Sequence, residues 1–257
     1  MNTTPYIVTE FKDHILSIRF NRLDRKNAIN TDMYMALTDA FNEADTNKNI
    51  RAVFISGDEN CFCAGNDLSD FAKGPRPKGV KPPGRQFLSS LRQCSKPIVA
   101  AVAGPAIGIG TTMLLHCDLI YSSSTTIFKM PFTQLGLCPE ASSSYLLPAL
   151  MGHQRASELL LLGKPLSPAE ALEFGLINGI IEINLIETAY QTAVTLAQLP
   201  PSSIQLTKKL MKEPIIKAMD KADKNESIGF ERQLGSEEAK EAMTAFFEKR
   251  PADFSRF

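Results

Sequence analysis

Apolar and polar residues alternate in two short runs near the start of the chain, YIVTEF and HILSIRF, and this two-residue period predicts a hairpin about a Lys12-Asp13 turn. The period then changes. Asn30 or Thr31 is placed to cap a helix whose Met33, Leu37, Ala40, Phe41 and Ala44 share one stripe, and AVFISG after it reads as a buried strand. Residues 57–84 carry no period and end in GPRPKGVKPPG, which predicts a long loop. From about Gln86 the chain reads as a short helix, the strand PIVAAVA, a buried helix from Gly108 and the strand DLIYSS. After Pro139 the signals are mostly helical: ASSSYLLPALM, HQRASELLLLG, SPAEALEFG and, past a strand-like LINGII, LIETAYQTAVTLAQL. Strands alternating with helices predict an α/β core. Pro200-Pro201 marks a boundary, and residues 202–248 mix charged and apolar positions at helical spacing, predicting a small helical appendage that packs on another surface, that of a second subunit being one candidate.

Charge and composition narrow the function. The 257 residues suffice for a full core, and 28 basic against 28 acidic side chains leave no broad field to hold nucleic acid or an anionic membrane. Pro97 to Cys117 carries no formal charge, but Gly104-Pro105 divides it into a strand and a helix, so no membrane span is expected. Five cysteines, no apolar signal stretch in the first 30 residues and a Ser-Arg-Phe end lacking the Ser-Lys-Leu address predict free thiols and a cytoplasmic setting.

Two glycine motifs could carry chemistry. In CFCAGNDL (61–68), Gly65 lets the backbone bend toward a ligand with its N–H groups free, although a plain glycine turn explains it as well. Cys61-x-Cys63 has no second Cys or His pair at ligand spacing, so no metal is expected. GPAIGIG (104–110) joins a buried strand to a buried helix, whose first N–H groups would favour negative charge; a tight turn is the alternative. Glu140 follows Pro139 in what reads as a first helical turn, a common pattern in which the helix dipole would stabilise the carboxylate. His14, His116 and His153 are scattered and read as structural; Asp118 reads as a cap or loop hydrogen-bonding group.

With CAGNDL, KPIVAAVAGPAIGIG and CDLIY in this order, together with RLDRKNAIN, GKPLSPAEALEFGLIN and AFFEKRPADF, the chain resembles the enoyl-CoA hydratase/isomerase (crotonase) family along nearly its whole length. The resemblance implies the crotonase fold: repeated strand-strand-helix units over residues 1–200 for acyl-CoA binding and catalysis, and a helical part over 201–257 at a trimer or paired-trimer interface. It also implies that the Asn66 and Ile109 amides grip the thioester oxygen, each donor worth about 3 kcal/mol of barrier in a dry site. Hydratases of the family carry two glutamates, which align here with Thr112 and Phe132, so paired carboxylates that would position a water are missing. LCPEASSSY instead resembles the peroxisomal type of 3,2-enoyl-CoA isomerase, in which the glutamate matching Glu140 is the base.

The implied reaction converts a 3-enoyl-CoA to the trans-2-enoyl-CoA, with coenzyme A arriving as part of the substrate and no further cofactor required. For its nucleotide end the resemblance implies Lys26, Ala28, Ala64 and Lys249. Asp67 is grouped with them, although its place after Asn66 equally suits a loop-fixing carboxylate or an exposed turn. Burial beside an acyl chain would raise the Glu140 pKa and a helix terminus would lower it; the balance is open at this point. Two alternatives stand: another enolate-forming crotonase reaction, and an acyl-CoA-binding module without turnover.

Overall fold

The computed structural model describes residues 4–71 and 81–257. Strands β1 (Ile7–Lys12) and β2 (Ile15–Phe20) form the expected hairpin, with Lys12 paired to Ile15. The turn is Asp13-His14, one residue later than the sequence pattern suggests. Both have positive φ (52° and 64°), the mirror-image geometry that matches strand twist in a two-residue hairpin.

Helix α1 (Thr31–Thr46) is capped by Asn30, whose Oδ1 accepts from the Met33 amide at 2.9 Å. Its predicted stripe, Met33 through Ala44, is buried. Then come β3 (Ala52–Ser56), a short α2 (Leu68–Phe71) and α3 (Pro83–Gln93). The expected loop over 57–84 is therefore interrupted by α2 and cut short at its end by α3, while its residues 72–80 lie outside the described residues. A proline at the first position starts α3 three residues before the predicted Gln86.

Strand β4 (Ile98–Val102) is joined by a bend at Gly104 (φ 63°) to the short β5 (Pro105–Ile107), followed by α4 (Ile109–Thr112) and a 3-10 turn, Met113–His116. Next are β6 (Leu119–Ser122) and β7 (Ile127–Lys129). The main sheet has the order β1-β2-β3-β4-β6-β8, where β8 is Gly179–Ile180, and is parallel beyond β2; β5 and β7 form a separate parallel pair. Three-residue strands are too short to show a period, so this second sheet was invisible in the sequence pattern.

Four helices surround β8 in the chain: α5 (Ser143–Met151), α6 (His153–Leu161), α7 (Pro168–Glu173) and α8 (Leu185–Gln198). Strand β4 explains the charge-free segment. Ile98, Ala100 and Val102 face the main core with α1 and α3, while Val99 and Ala101 face Leu185, Ala189, Ala193 and Ala197 of α8. A strand covered on both faces reads as a continuous apolar run. Among the described residues, no helix is long and apolar enough to cross a membrane.

The C-terminal helices are α9 (Pro201–Lys212), α10 (Ile216–Leu234) and α11 (Glu237–Glu248). They dock on the core through buried polar contacts as well as apolar ones. Lys208 of α9 donates to Asp118 Oδ2 and to the Lys96 carbonyl, both at 2.6 Å, and the same Asp118 oxygen accepts from the Ile98 amide. Asp118 thus has the loop hydrogen-bonding role expected of it.

Candidate active site

The two glycine motifs are held backbone against backbone. Cys63 and Ala106 form a parallel bridge, in which the Cys63 amide donates to Pro105 O (3.0 Å) and the Ile107 amide to Cys63 O (2.9 Å). A second bridge joins Ile29 to Asn66, with Ile29 N–H donating to Gly65 O and Asp67 N–H to Ile29 O. The Asn66 amide itself takes part in neither bond of that bridge. Its side chain accepts the Tyr34 hydroxyl at 2.5 Å, which fixes the residue from α1.

Glycine is required here by contact. A Cβ on Gly65 (φ 96°) would lie 2.8 Å from the Ile107 carbonyl oxygen, and one on Gly110 would lie 2.5 Å from the Cys63 carbonyl oxygen. Gly108 (φ 56°, ψ −121°) turns the chain into α4 and leaves Ile109 as its first residue, where an amide has no partner within the helix. Asn66 and Ile109 thus each follow a glycine close to the Cys63–Ala106 bridge.

Cys63 sits inside this junction. Burial pushes its thiol up to about 12, so the group is neutral and serves as an acceptor for the Gly65 amide at 3.4 Å. The negative charge of Glu140 is felt at Cys63, which places the carboxylate within electrostatic reach of the first motif.

Glu140 is not in a helix. Ala141 and Ser142 after it both have positive φ (61° and 58°), and α5 starts only at Ser143. Non-glycine residues in that region cost about 1–3 kcal/mol each, so other contacts must hold the turn. His116 Nε2 donates to the Ala141 carbonyl at 2.9 Å, and Ser142 Oγ donates to the Met219 carbonyl at 3.0 Å. The amides of Ser142 and Ser144 donate to the carboxylate of Glu226 on α10, at 2.6 and 2.8 Å.

Those contacts decide the question of the Glu140 pKa. The amides at the start of α5 are engaged by Glu226, so they do not stabilise a negative Glu140. Glu140 is half-buried as a residue, but its Oε1 is buried and has no hydrogen-bond partner among the described residues. Desolvation, with the nearby charge of Glu226 second, raises its pKa from the ordinary 4.5 to about 8. A carboxylate so placed is a stronger base than an exposed one and is partly ionised near neutrality.

Thr112 and Phe132, the residues that the resemblance aligns with a hydratase's two glutamates, are both buried. Thr112 is fully buried with no partner for its hydroxyl among the described residues, and Phe132 is buried in the main core.

Of the remaining sequence-predicted residues, Lys26 and Ala28 lie in the loop that precedes α1, and Ala64 and Asp67 of the first motif are bonded to it. The amide of Ala64 donates to Lys26 O at 3.0 Å, and that of Ala28 to Arg25 O. Arg22 donates to Ala28 O and to Asp67 Oδ2, at 2.9 and 2.7 Å. Asp67 Oδ1 accepts from the amide and hydroxyl of Ser69. Burial alone would raise the Asp67 pKa; the Ser69 and Arg22 hydrogen bonds and the Arg22 charge hold it below the ordinary value. Its carboxylate is a buttress of the loop.

Lys26, Ala28, Ala64 and Asp67 thus form one group. Lys249 stands apart, exposed at the end of α11, which packs on α10 and on the turn Thr133–Leu135. His116 is structural as expected, but it bears directly on the Glu140 turn. Burial lowers its pKa to about 4, so the ring is neutral. Sequence reasoning missed Arg22, Tyr34 and Glu226, whose partners lie 45, 32 and 82–84 residues away along the chain.

Comparison with known proteins bears on this geometry. The family model for enoyl-CoA hydratase/isomerase matches residues 10–256. The chain belongs to the enoyl-CoA hydratase/isomerase family. It is 35% identical over 243 residues to the rat (Rattus norvegicus) enoyl-CoA delta isomerase 2, covering 92% of this chain and 62% of that protein, so it spans a little under two thirds of that relative's length. The 1,2-epoxyphenylacetyl-CoA isomerase of Escherichia coli is 30% identical, over 97% of this chain and 98% of the relative. The crystal structure of an enoyl-CoA hydratase/isomerase from Pseudoalteromonas atlantica superposes with a TM-score of 0.92 at 40% identity, covering 97% of this chain and 99% of that one. These neighbours share the crotonase fold, in which this chain adds its C-terminal helices to a mixed α/β core.

Proposed function

We propose that this enzyme of the crotonase superfamily isomerises 3-enoyl-CoA thioesters to trans-2-enoyl-CoA, with Glu140 as the only acid-base group. The observation that carries the reading is a buried Glu140 oxygen with no hydrogen-bond partner among the described residues, on a carboxylate whose charge reaches Cys63 of the first motif, while buried Thr112 and Phe132 stand where the resemblance puts a hydratase's two glutamates. Ionised Glu140 removes a proton from C2. The C2–H electrons form a C1–C2 double bond as the C1–O π electrons move onto the thioester oxygen, giving a dienolate that keeps the C3–C4 double bond. On collapse the oxygen pair re-forms the C1–O double bond, the C1–C2 pair becomes the C2–C3 double bond, and the C3–C4 pair takes the proton at C4. The amides of Asn66 and Ile109 donate to that oxygen, and Glu140 returns its proton to C4. The reaction moves a proton and consumes no cofactor; coenzyme A enters as part of the substrate.

Lys26 and Lys249 are assigned to the phosphates of coenzyme A and the backbone about Ala28 and Ala64 to its adenine. Since the Ala64 amide is engaged by Lys26, its carbonyl is the group offered to a ligand. Asp67 acts on this site through Arg22. The exposed apolar residues of the C-terminal helices, Leu206, Leu210, Met211 and Phe246 among them, suit a trimer interface, which light scattering of the purified protein would measure.

A second reading, isomerisation of another enolate-forming thioester, draws support from the full-length match to the epoxyphenylacetyl-CoA isomerase. A binding module without turnover is disfavoured by the raised basicity of Glu140. The test is a spectrophotometric assay with 3-hexenoyl-CoA, beside hydration of 2-hexenoyl-CoA. Formation of the conjugated thioester with negligible hydration supports the isomerase; coenzyme A binding without isomerisation would favour one of the other two readings.

A further inference from the structure

The turn that carries Glu140 has no local cap. Ser142 occupies the N-cap position of α5 in the left-handed region, and its side chain does not bond back to the helix. The open amides of Ser142 and Ser144 meet a carboxylate from another part of the chain, Glu226, which is buried on α10. Two further bonds tie the same turn to α10: Ser142 Oγ to Met219 O, and Cys138 Sγ to Glu226 O.

We propose that Glu226 is the positioning residue for Glu140: its carboxylate serves as a remote N-cap for α5 and holds the turn on which the base is mounted. The inference rests on the reading of Glu140 as the base. A bidentate grip of two amides fixes both φ-positive residues between α10 and the His116 contact, so the Glu140 side chain leaves the backbone in one direction.

The surroundings allow Glu226 a second influence, on the charge of the base. Glu140 is faced by Glu226 from α10, by the neutral thiols of Cys63 and Cys138, and at the next residue by neutral His116. Glu226 in turn has Asp223 on its own helix and the Ser142 and Ser144 donors opposite. Asp223 and Asp220 pair with Arg92 from α3, at 3.8 and 3.3 Å. Arg232, on α10, and Lys208 and Lys212, on α9, are the other cations whose charge reaches Cys138 or His116. A negative Glu226 therefore disfavours a negative Glu140, and its removal makes Glu140 more acidic.

Glu226→Gln and Glu226→Asp separate the two effects, assayed with 3-hexenoyl-CoA against pH. Glutamine removes the charge and presents an NH2 group to one of the two amides. Expected for Glu226→Gln is a fall in kcat of about tenfold with KM changed less than about twofold, and an acid limb of kcat/KM moved to lower pH. Aspartate keeps the charge on a shorter arm, so kcat falls while the limb stays in place. Wild-type kcat with an unmoved limb in Glu226→Gln would overturn the assignment. Should that variant fail to fold, Glu226→Asp decides: a lower kcat with the limb in place supports the proposal, and wild-type kcat overturns it. Full activity in Glu140→Gln would remove the base itself and the proposal with it, whereas an inactive Glu140→Gln beside a normal Glu226→Gln would remove the proposal alone.

Discussion

The two halves of the candidate site are held in different ways. The Asn66 and Ile109 amides belong to backbone segments joined by short parallel bridges within the main core, and their geometry depends on glycines that allow close approach. Glu140 sits on a turn with two strained, non-glycine residues, held by a histidine from the end of the 3-10 turn and by a carboxylate from the C-terminal helices. A site for negative charge can be made from backbone alone because peptide N–H groups are always available. A base must be kept short of hydrogen bonds to stay basic, so its position has to be fixed through its neighbours rather than through its own oxygens.

Removing the base probes that contrast most strongly. Glu140→Gln should lower kcat/KM for isomerisation by roughly 10²-fold or more, while coenzyme A binding measured by calorimetry stays nearly unchanged. Disturbing the other half should cost less, since one of two donors is displaced. Gly65→Ala forces a Cβ against the Ile107 carbonyl oxygen in a backbone conformation unfavourable for alanine, and kcat should fall by about tenfold or more, with a lower melting temperature.

Stability reveals the difference with the opposite sign. Because the folded pKa of Glu140 is raised, its burial favours folding below its ordinary value of 4.5, and that contribution is lost as pH rises through about 8. Glu140→Gln should therefore be more stable than the wild type by at least about 1 kcal/mol at pH 9, with the difference vanishing near pH 4, in urea titrations at the two pH values. The smallest effect is expected farthest from the chemistry. Lys249→Ala should raise KM a few-fold and leave kcat nearly unchanged, since its assigned contact is with the nonreacting nucleotide end; an unchanged KM would withdraw that contact.

The same contrast explains what the sequence could convey. GNDL and GPAIGIG are local, so their glycines were visible, although the close approach they allow in the structure is of one backbone to the other. The stripe of α1 and the doubly covered β4 were equally legible, because period and burial coincide there. The β5–β7 pair was not, since three residues carry no period. At the Glu140 turn pattern and structure differ: Pro-Glu before a polar run predicts a first helical turn, whereas the left-handed Ala141 and Ser142 delay α5. Neither residue type signals positive φ, and the contacts that impose it come from Glu226 and His116, 82–84 and 25 residues away. In α9 and α10, Lys208 and Glu226 look like solvated charges at helical spacing, yet both are buried on the core.

Whether the buried Glu140 carboxylate acts as the base is tested most directly by the pH dependence of kcat/KM with 3-hexenoyl-CoA. Since the ionised form takes the proton, the rate should rise with pH through an apparent pKa near 8, falling about tenfold for each unit below it. An acid limb near 4.5, or the same limb persisting in Glu140→Gln, would contradict the account.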